Sequence, residues 1–179
     1  MNDPAVTSIV VVDVGEPLVD LEAAGLVVFS DRKRAKNPHL AFVRQCVAGR
    51  IEHATRALPS GIRFLGVEAF RPAQLQHHYY DDYRDRLRAA NPSLPEDDLD
   101  GLTARFVSPP EIAPHPSGAA IDLTLCGDNG EELDLGTPVD ATPESSAGAC
   151  FTAAPDLTTT ASKNRRLLIN ALQSAGLVN

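Results

Sequence analysis

The stretch PHPSGAAIDLTL, residues 114–125, decides the fold of this chain. Its first half is a turn rich in Pro and Gly. From Ala119 to Cys126 the sequence alternates Ala120, Asp122 and Thr124 with aliphatic residues, as a half-buried strand does. The turn signal GDNG follows directly at residues 127–130, so residues 131–135 are predicted to return as the partner of a hairpin. The stretch therefore predicts a small antiparallel sheet.

Apolar spacing and Pro or Gly breaks mark the elements that precede this sheet. Residues 8–14 are rich in β-branched side chains and predict a strand at a sheet edge. Asn37 before Pro38 predicts a helix start, and apolar residues at spacings of three and four continue that helix to about residue 58. Residues 62–70 predict a buried strand, and a second helix is expected from Pro72 to residue 90.

The remaining segments complete the prediction of an α+β fold. Residues 91–111 contain four prolines and an acidic cluster, which favours a long surface excursion. Residues 137–162 are expected to be irregular, and a last helix is predicted from Ser162 as its N-cap to Gly176. The prediction is one domain over residues 1–179, with a small, mostly antiparallel sheet flanked by about three helices.

Composition and charge exclude several classes of function. The chain has 16 Lys and Arg against 24 Asp and Glu, and this net charge of −8 argues against nucleic-acid binding. The basic run at residues 31–36 is interpreted as a solvated turn. No stretch is long and apolar enough for a membrane span, and the start is not that of a secretory signal. Three scattered cysteines fit a reducing compartment, so a cytoplasmic location is expected.

His115 and Asp122 are the residues most suggestive of metal binding. A neutral imidazole and a carboxylate are both zinc ligands, and a catalytic zinc usually takes three protein ligands and one water. An ionised Asp in an otherwise apolar strand is costly to bury unless a cation or hydrogen bonds compensate it. The sequence does not show the third ligand. A lone His is more often structural, and this is the interpretation for His39 and His53.

Arg71 directly follows a predicted buried strand, at a position where sites often lie. Two interpretations remain open for it: a structural ion pair with a carboxylate, or a guanidinium that stabilises oxyanion charge in acyl transfer. The neighbouring His77 and His78 do not form a chelating pair, because adjacent helical residues point about 100° apart.

Four ordered segments resemble the D-alanyl-D-alanine dipeptidases, zinc peptidases of the wider DD-carboxypeptidase and hedgehog-like metallopeptidase group. The run HPSGAAIDLTL is similar to the family motif His-x-x-Gly-x-Ala-x-Asp-Leu-Thr-Leu and is the most specific of the four. The resemblance covers the chain from residue 38 onward. The other three segments are residues 69–72 with Gln74 and Gln76, residues 133–140, and residues 164–168 with the later Gly176 and Leu177.

This resemblance implies one zinc ion held by His115 and Asp122, with Arg71 stabilising the tetrahedral intermediate. It also implies that Asp140 receives the ammonium group of a small D-amino-acid dipeptide such as D-Ala-D-Ala. Two departures stand out: Ala113 replaces a family Ser, and the family's Glu-Trp-Trp-His segment would begin where this chain ends, at Asn179. That segment provides the general base and third ligand, so impaired activity is expected.

Two alternatives to the dipeptidase hypothesis remain open. The chain could be a non-catalytic homologue that kept the fold and serves as a binding or assembly partner. An oligomer or a partner chain would then cover the sheet edge that a missing terminal strand exposes. In the second alternative, replacement groups complete the site, with His53, His77 or His78 as ligand and Glu111 or Glu144 as base.

Overall fold

The structure is a computed structural model that describes residue 8 and residues 12–178. Within these residues it contains five strands, four helices and one short 3₁₀ turn at His115–Ser117. The strands are β1 (Leu18–Asp20), β2 (Val28–Phe29), β3 (Phe42–Arg44), β4 (Ile62–Glu68) and β5 (Asp122–Gly127). The helices are α1 (Gln45–Thr55), α2 (Ala73–Ala90), α3 (Glu96–Thr103) and α4 (Thr159–Ser174).

Strand β4 is the centre of the larger sheet. It pairs with β5 antiparallel and with β2 parallel, while β1 and β3 form a separate antiparallel ribbon. Five consecutive residues of β4, from Phe64 to Glu68, are buried, as expected for a strand covered on both faces. The predicted α+β class is confirmed, although the sheet is mixed and four helices accompany it.

The core lies between this sheet and helices α1 and α4, which pack on each other. Helix α1 buries Val47, Ile51 and Ala54 along one face, at the spacing that the sequence predicts. Leu40 and Val43, which share the same apolar spacing, are also buried, but they precede the helix. Apolar spacing therefore identified the core residues correctly.

The start of α1 was predicted wrongly. Asn37 is no N-cap, since the helix begins at Gln45. The Asn37 amide is fully buried and donates to the Glu68 carboxylate at 2.9 Å and to the Phe70 carbonyl at 2.7 Å. Residues Phe42–Arg44 pair with β1 instead of coiling. A long-range strand pairing has thus overridden a local helix signal.

Residues 91–111 are more ordered than the predicted surface excursion. Helix α3 occupies Glu96–Thr103 and buries Leu99 and Thr103. Its first turn holds Glu96, Asp97 and Asp98, and acidic side chains at a helix N-terminus interact favourably with the helix dipole. The acidic cluster was therefore a helix-start signal.

Three smaller expectations also changed. The strand predicted over residues 8–14 lies partly outside the described residues, and residues 12–14 belong to no strand. Residues 131–135, predicted as the second strand of a hairpin, form no strand and pair with β5 through one isolated bridge, between Cys126 and Glu132. The last helix begins at Thr159, because the Thr158 side chain, and not Ser162, caps it by accepting from the Ala161 amide at 3.1 Å.

Helices that combine enough length with enough hydrophobicity to cross a membrane are not found among the described residues.

Candidate functional site

A cleft of about 930 Å³ opens beside the facing ends of β4 and β5. All four residues proposed from the sequence as site residues line it, although they come from three separate segments of the chain. These residues are Arg71, His115, Asp122 and Asp140.

His115 is held so that one ring nitrogen is available to the cleft. Its Nδ1 lies 2.6 Å from the carbonyl oxygen of Ala69, and because a carbonyl can only accept, Nδ1 must carry the proton. The other nitrogen, Nε2, faces Asp122 Oδ1 at 3.5 Å. The left-handed Gly118 (φ +74°) closes the turn that carries His115, and a Cβ there would come within 2.8 Å of the Leu18 side chain.

Asp122 opens strand β5 and lies opposite Glu68 in the register. Its side chain is 45% exposed, so the predicted burial is only partial, and it faces the cleft. Burial alone would raise the pKa of Asp122, but the hydrogen bond and charge of His115 and the charges of Lys33 and Arg71 lower it overall. The carboxylate therefore stays ionised and able to bind a cation.

Arg71 is a buried arginine whose nitrogens all have acceptors nearby. Its Nε and one terminal nitrogen donate to the same oxygen of Glu68 at 3.0 and 2.6 Å, and the other terminal nitrogen donates to Gln76 at 2.7 Å. The guanidinium also lies 4.9 Å from the centre of the Tyr79 ring and 3.9 Å from Asp122 Oδ2. The structural ion pair is thus present, and the same guanidinium borders the cleft.

Glu68 is the residue of this cluster that the sequence reasoning missed. Its side chain is fully buried and accepts from Arg71, Lys33 and Asn37. Burial alone would raise the pKa of Glu68, but Arg71, Lys33 and Asn37 lower it overall. The signal was available, since an acidic residue inside an apolar strand raises the same question of compensation that was asked of Asp122.

Lys33 corrects the interpretation of the basic run. Residues 31–36 do form a turn, but the Lys33 side chain is only 16% exposed and lies in the cleft. Its Nζ is 3.3 Å from Glu68 Oε2 and 3.3 Å from Asp140 Oδ2. Alternating charges thus connect one end of the site to the other. This ionic chain runs in the order Asp140, Lys33, Glu68, Arg71 and Asp122.

The loop that carries Asp140 is fastened by Arg165 of helix α4. The guanidinium donates to the backbone carbonyls of Leu135, Ala149 and Phe151 at 2.6–2.7 Å. Asp140 itself has a φ of +61°, a conformation that Asp tolerates better than most residues. The Asp140 side chain is therefore positioned by a loop closed at both ends.

The suggested replacement groups do not reach the cleft. All five side chains belong to exposed residues and none lines the cleft, and Glu144 instead accepts a hydrogen bond from Tyr83 at 3.2 Å. Across the described residues, no group of three or more His, Cys, Asp or Glu side chains has the arrangement needed for a metal ion. The replacement candidates were His53, His77, His78, Glu111 and Glu144.

The fold and the cleft together have the character of a metallopeptidase: an imidazole and a carboxylate face each other beside a buried guanidinium. The sequence profile described as D-ala-D-ala dipeptidase matches residues 29–179, and the chain belongs to this family. The resemblance noted from the four motifs is thereby confirmed. Members of this family are metallopeptidases that typically depend on zinc. A comparison with curated protein sequences gave no match.

Proposed function

We propose that the cleft is the active site of a zinc-dependent D,D-dipeptidase acting on D-Ala-D-Ala-type dipeptides, with His115 and Asp122 as two of the zinc ligands. The observation that carries this proposal is the orientation of His115. Because its Nδ1–H is donated to Ala69, a neutral His115 presents the lone pair of Nε2 toward an ionised carboxylate at 3.5 Å. Either a proton on Nε2 or a metal cation bridges such a pair, and zinc suits its two ligand types.

A bound zinc would act as a Lewis acid and would lower the pKa of a coordinated water. The protein's own groups have distinct tasks beside it. Arg71 supplies a desolvated positive charge where oxyanion charge develops, and it needs no rearrangement because Glu68 and Gln76 already fix it. Asp140 offers a carboxylate, at a distinct position in the cleft, on which a substrate ammonium group could be received.

A second function is supported by the incomplete ligand set. In the described part of the chain no third side chain joins His115 and Asp122 into a metal-binding group. This favours, as the second candidate, a non-catalytic homologue that binds a partner or assembles through the same fold. An oligomer or a partner chain bound by this fold belongs to that proposal.

Metal analysis and a peptidase assay separate the two candidates. Protein purified with zinc is expected to hold one zinc per chain and to release D-alanine from D-Ala-D-Ala. His115→Ala should lose the zinc, whereas the control His53→Ala, which changes an exposed His outside the cleft, should keep it. If the wild-type protein binds no zinc and cleaves nothing, the non-catalytic candidate is supported instead.

A further inference from the structure

Cationic side chains are concentrated in the cleft, although the chain as a whole carries a net charge of −8. Five of the described residues that line the cleft are Lys or Arg, whereas two are acidic, Asp122 and Asp140. A cleft lined mainly by one sign of charge raises the local concentration of ligands of the opposite sign. The cleft is therefore suited to an anionic group as well as to a cation. The five cationic residues are Arg32, Lys33, Lys36, Arg71 and Arg86.

Lys36 is the cation of this set that has no carboxylate partner among the residues that the structure describes. Each of the other four is paired with a carboxylate of the protein, so its charge is already compensated. The exposed Lys36 ammonium group is left to pair with an anion that enters the cleft. The four pairs are Arg32 with Glu132, Lys33 with Glu68, Arg71 with Glu68, and Arg86 with Asp82.

Lys36 rises from the same turn as Lys33, which contacts Asp140. The Lys36 amide donates to the Lys33 carbonyl at 3.0 Å, the bond of a β-turn, in which the first and fourth Cα atoms lie within about 7 Å of each other. The Nζ of Lys33 lies 3.3 Å from Asp140 Oδ2. One turn thus connects the backbone of Lys36 to the carboxylate proposed to receive an ammonium group.

The backbone beneath Lys36 is fixed by the next residue, Asn37. The Asn37 side chain is fully buried and donates to the Glu68 carboxylate at 2.9 Å and to the Phe70 carbonyl at 2.7 Å. An anion that binds Lys36 therefore has to order only the Lys36 side chain, and ordering a single side chain costs less than ordering a loop.

A free dipeptide carries one charge of each sign at its two ends. Its ammonium and carboxylate groups are at most about 7 Å apart, because each residue spans up to about 3.6 Å. Asp140 offers an acceptor for the first group, and the three N–H donors of Lys36 suit the second. A peptide whose carboxyl end is amidated or continues into a longer chain has no negative charge at that position.

We infer that Lys36 is a specificity-determining residue that binds the C-terminal carboxylate of the dipeptide while Asp140 receives its ammonium group. The inference rests on the proposed function, since it takes the cleft as the place where D-Ala-D-Ala-type dipeptides bind. It adds the requirement for a free carboxylate. The pair of Asp140 and Lys36 then selects free dipeptides over amidated or longer peptides by charge at both ends.

Ligand binding to the purified full chain without added metal tests this inference. D-Ala-D-Ala and D-Ala-D-alaninamide, which lacks the negative charge, are titrated separately and followed by NMR chemical shifts. The wild-type protein should bind D-Ala-D-Ala about fivefold more tightly, the size expected for a partly exposed ion pair. Lys36→Met should bring the two Kd values to about the same level. Lys36→Arg, which keeps the positive charge, should retain the preference.

Lys163→Met is the matched control, because Lys163 is an exposed lysine outside the cleft, and it should keep the wild-type preference. Circular dichroism checks that each variant is folded, and Lys36→Gln replaces Lys36→Met if the latter is not. A wild-type Kd ratio that persists in the folded uncharged variant overturns the inference. A wild-type protein that binds neither peptide, or both equally well, overturns it too.

Hydrolysis by zinc-loaded protein distinguishes this inference from the proposed function. If both hold, Lys36→Met should raise KM for D-Ala-D-Ala and leave kcat near the wild-type value, since the carboxylate contact is the same in the ground and transition states. Cleavage of D-Ala-D-Ala with unchanged KM in Lys36→Met overturns the inference alone. The expected Kd ratios without any cleavage overturn the proposed peptidase alone.

Discussion

Arg71 and Arg165 are equally buried, each 7% exposed, but they have different kinds of partner. Arg71 donates to the side chains of Glu68 and Gln76 and lies beside Asp122. Arg165 donates to backbone carbonyls only, at four positions of the loop that carries Asp140. Both guanidinium groups have hydrogen-bond acceptors, because a buried charge without partners would be costly.

The difference in partners indicates different roles: Arg71 belongs to the candidate site, whereas Arg165 supports the loop that carries Asp140. The Arg71 charge borders the cleft and belongs to an ionic chain that reaches a proposed metal ligand. The Arg165 guanidinium is compensated by the backbone carbonyls to which it donates, so the role of Arg165 is to hold the loop. Burial of an arginine therefore does not indicate its role, whereas the chemistry of its acceptors does. The two environments can be tested against each other.

The largest effect on stability is expected from Glu68→Gln. The substitution leaves Arg71 and Lys33 without the carboxylate that both of them need, and breaking a buried ion pair costs about 3–5 kcal/mol. Urea unfolding followed by circular dichroism measures the loss. Glu52→Gln is the control, because Glu52 pairs with Arg56 on an exposed helix surface and should change stability by less than about 0.5 kcal/mol. Equal losses in both variants would mean that the ionic chain contributes no special stability.

A somewhat smaller loss of stability is expected from Arg165→Met. The variant keeps most of the side-chain volume but removes the charged donors from the loop carbonyls, which should cost about 3 kcal/mol. The exposed neighbour Arg166→Met should have little effect. Both are measured by urea unfolding, and amide hydrogen exchange in residues 136–152 should rise only in the first. Unchanged exchange there would show that Arg165 does not hold the loop.

Arg71→Lys should affect catalysis more than folding. Lysine retains the charge near Glu68 but cannot reproduce the planar set of donors. In zinc-loaded protein that cleaves D,D-peptides, kcat is expected to fall about 100-fold, typical of a lost oxyanion contact. Zinc content should stay at the wild-type level. A rise in KM or a loss of zinc with unchanged kcat would instead assign Arg71 a binding or structural role.

The smallest effect concerns the second attachment of the loop, at Tyr83. Burial, followed by the charge and hydrogen bond of Glu144, raises the pKa of Tyr83 to about 12. Because the folded-state pKa is raised, the stabilisation is fully present below the ordinary pKa near 10 and is lost as the pH rises toward 12. Absorbance titration at alkaline pH should show a last step near pH 12 that Tyr83→Phe removes. Persistence of that step in Tyr83→Phe would assign it to another tyrosine.

Much of the fold could be predicted from local pattern. The apolar spacing found the residues that helix α1 buries, and Pro72 correctly marked the boundary between β4 and α2. The spacing could not show that Phe42–Arg44 would be a strand, because its partner β1 lies far away in sequence. The parallel pair of β2 and β4 was missed for the same reason.

The candidate site was only half predictable. His115 and Asp122 lie in one motif, so their shared location follows from a turn that leads into a strand. Lys33 was interpreted as a solvated cation because a run of charges usually is, and nothing near it in sequence reveals a buried partner. Its partner Glu68 is recognisable only as an acidic residue that interrupts an apolar strand.

By itself, the sequence determined the family, the strand that carries Asp122, and the four residues that the cleft brings together. The strand follows from local periodicity, whereas the family and the four site residues follow from the resemblance of ordered motifs to the D-alanyl-D-alanine dipeptidases. Only the tertiary structure decided the order of charges from Asp140 to Asp122, and with it the position of Lys33. The physical reason is that ion pairs form between whichever charges the packing brings within about 4 Å, and sequence distance places no limit on that.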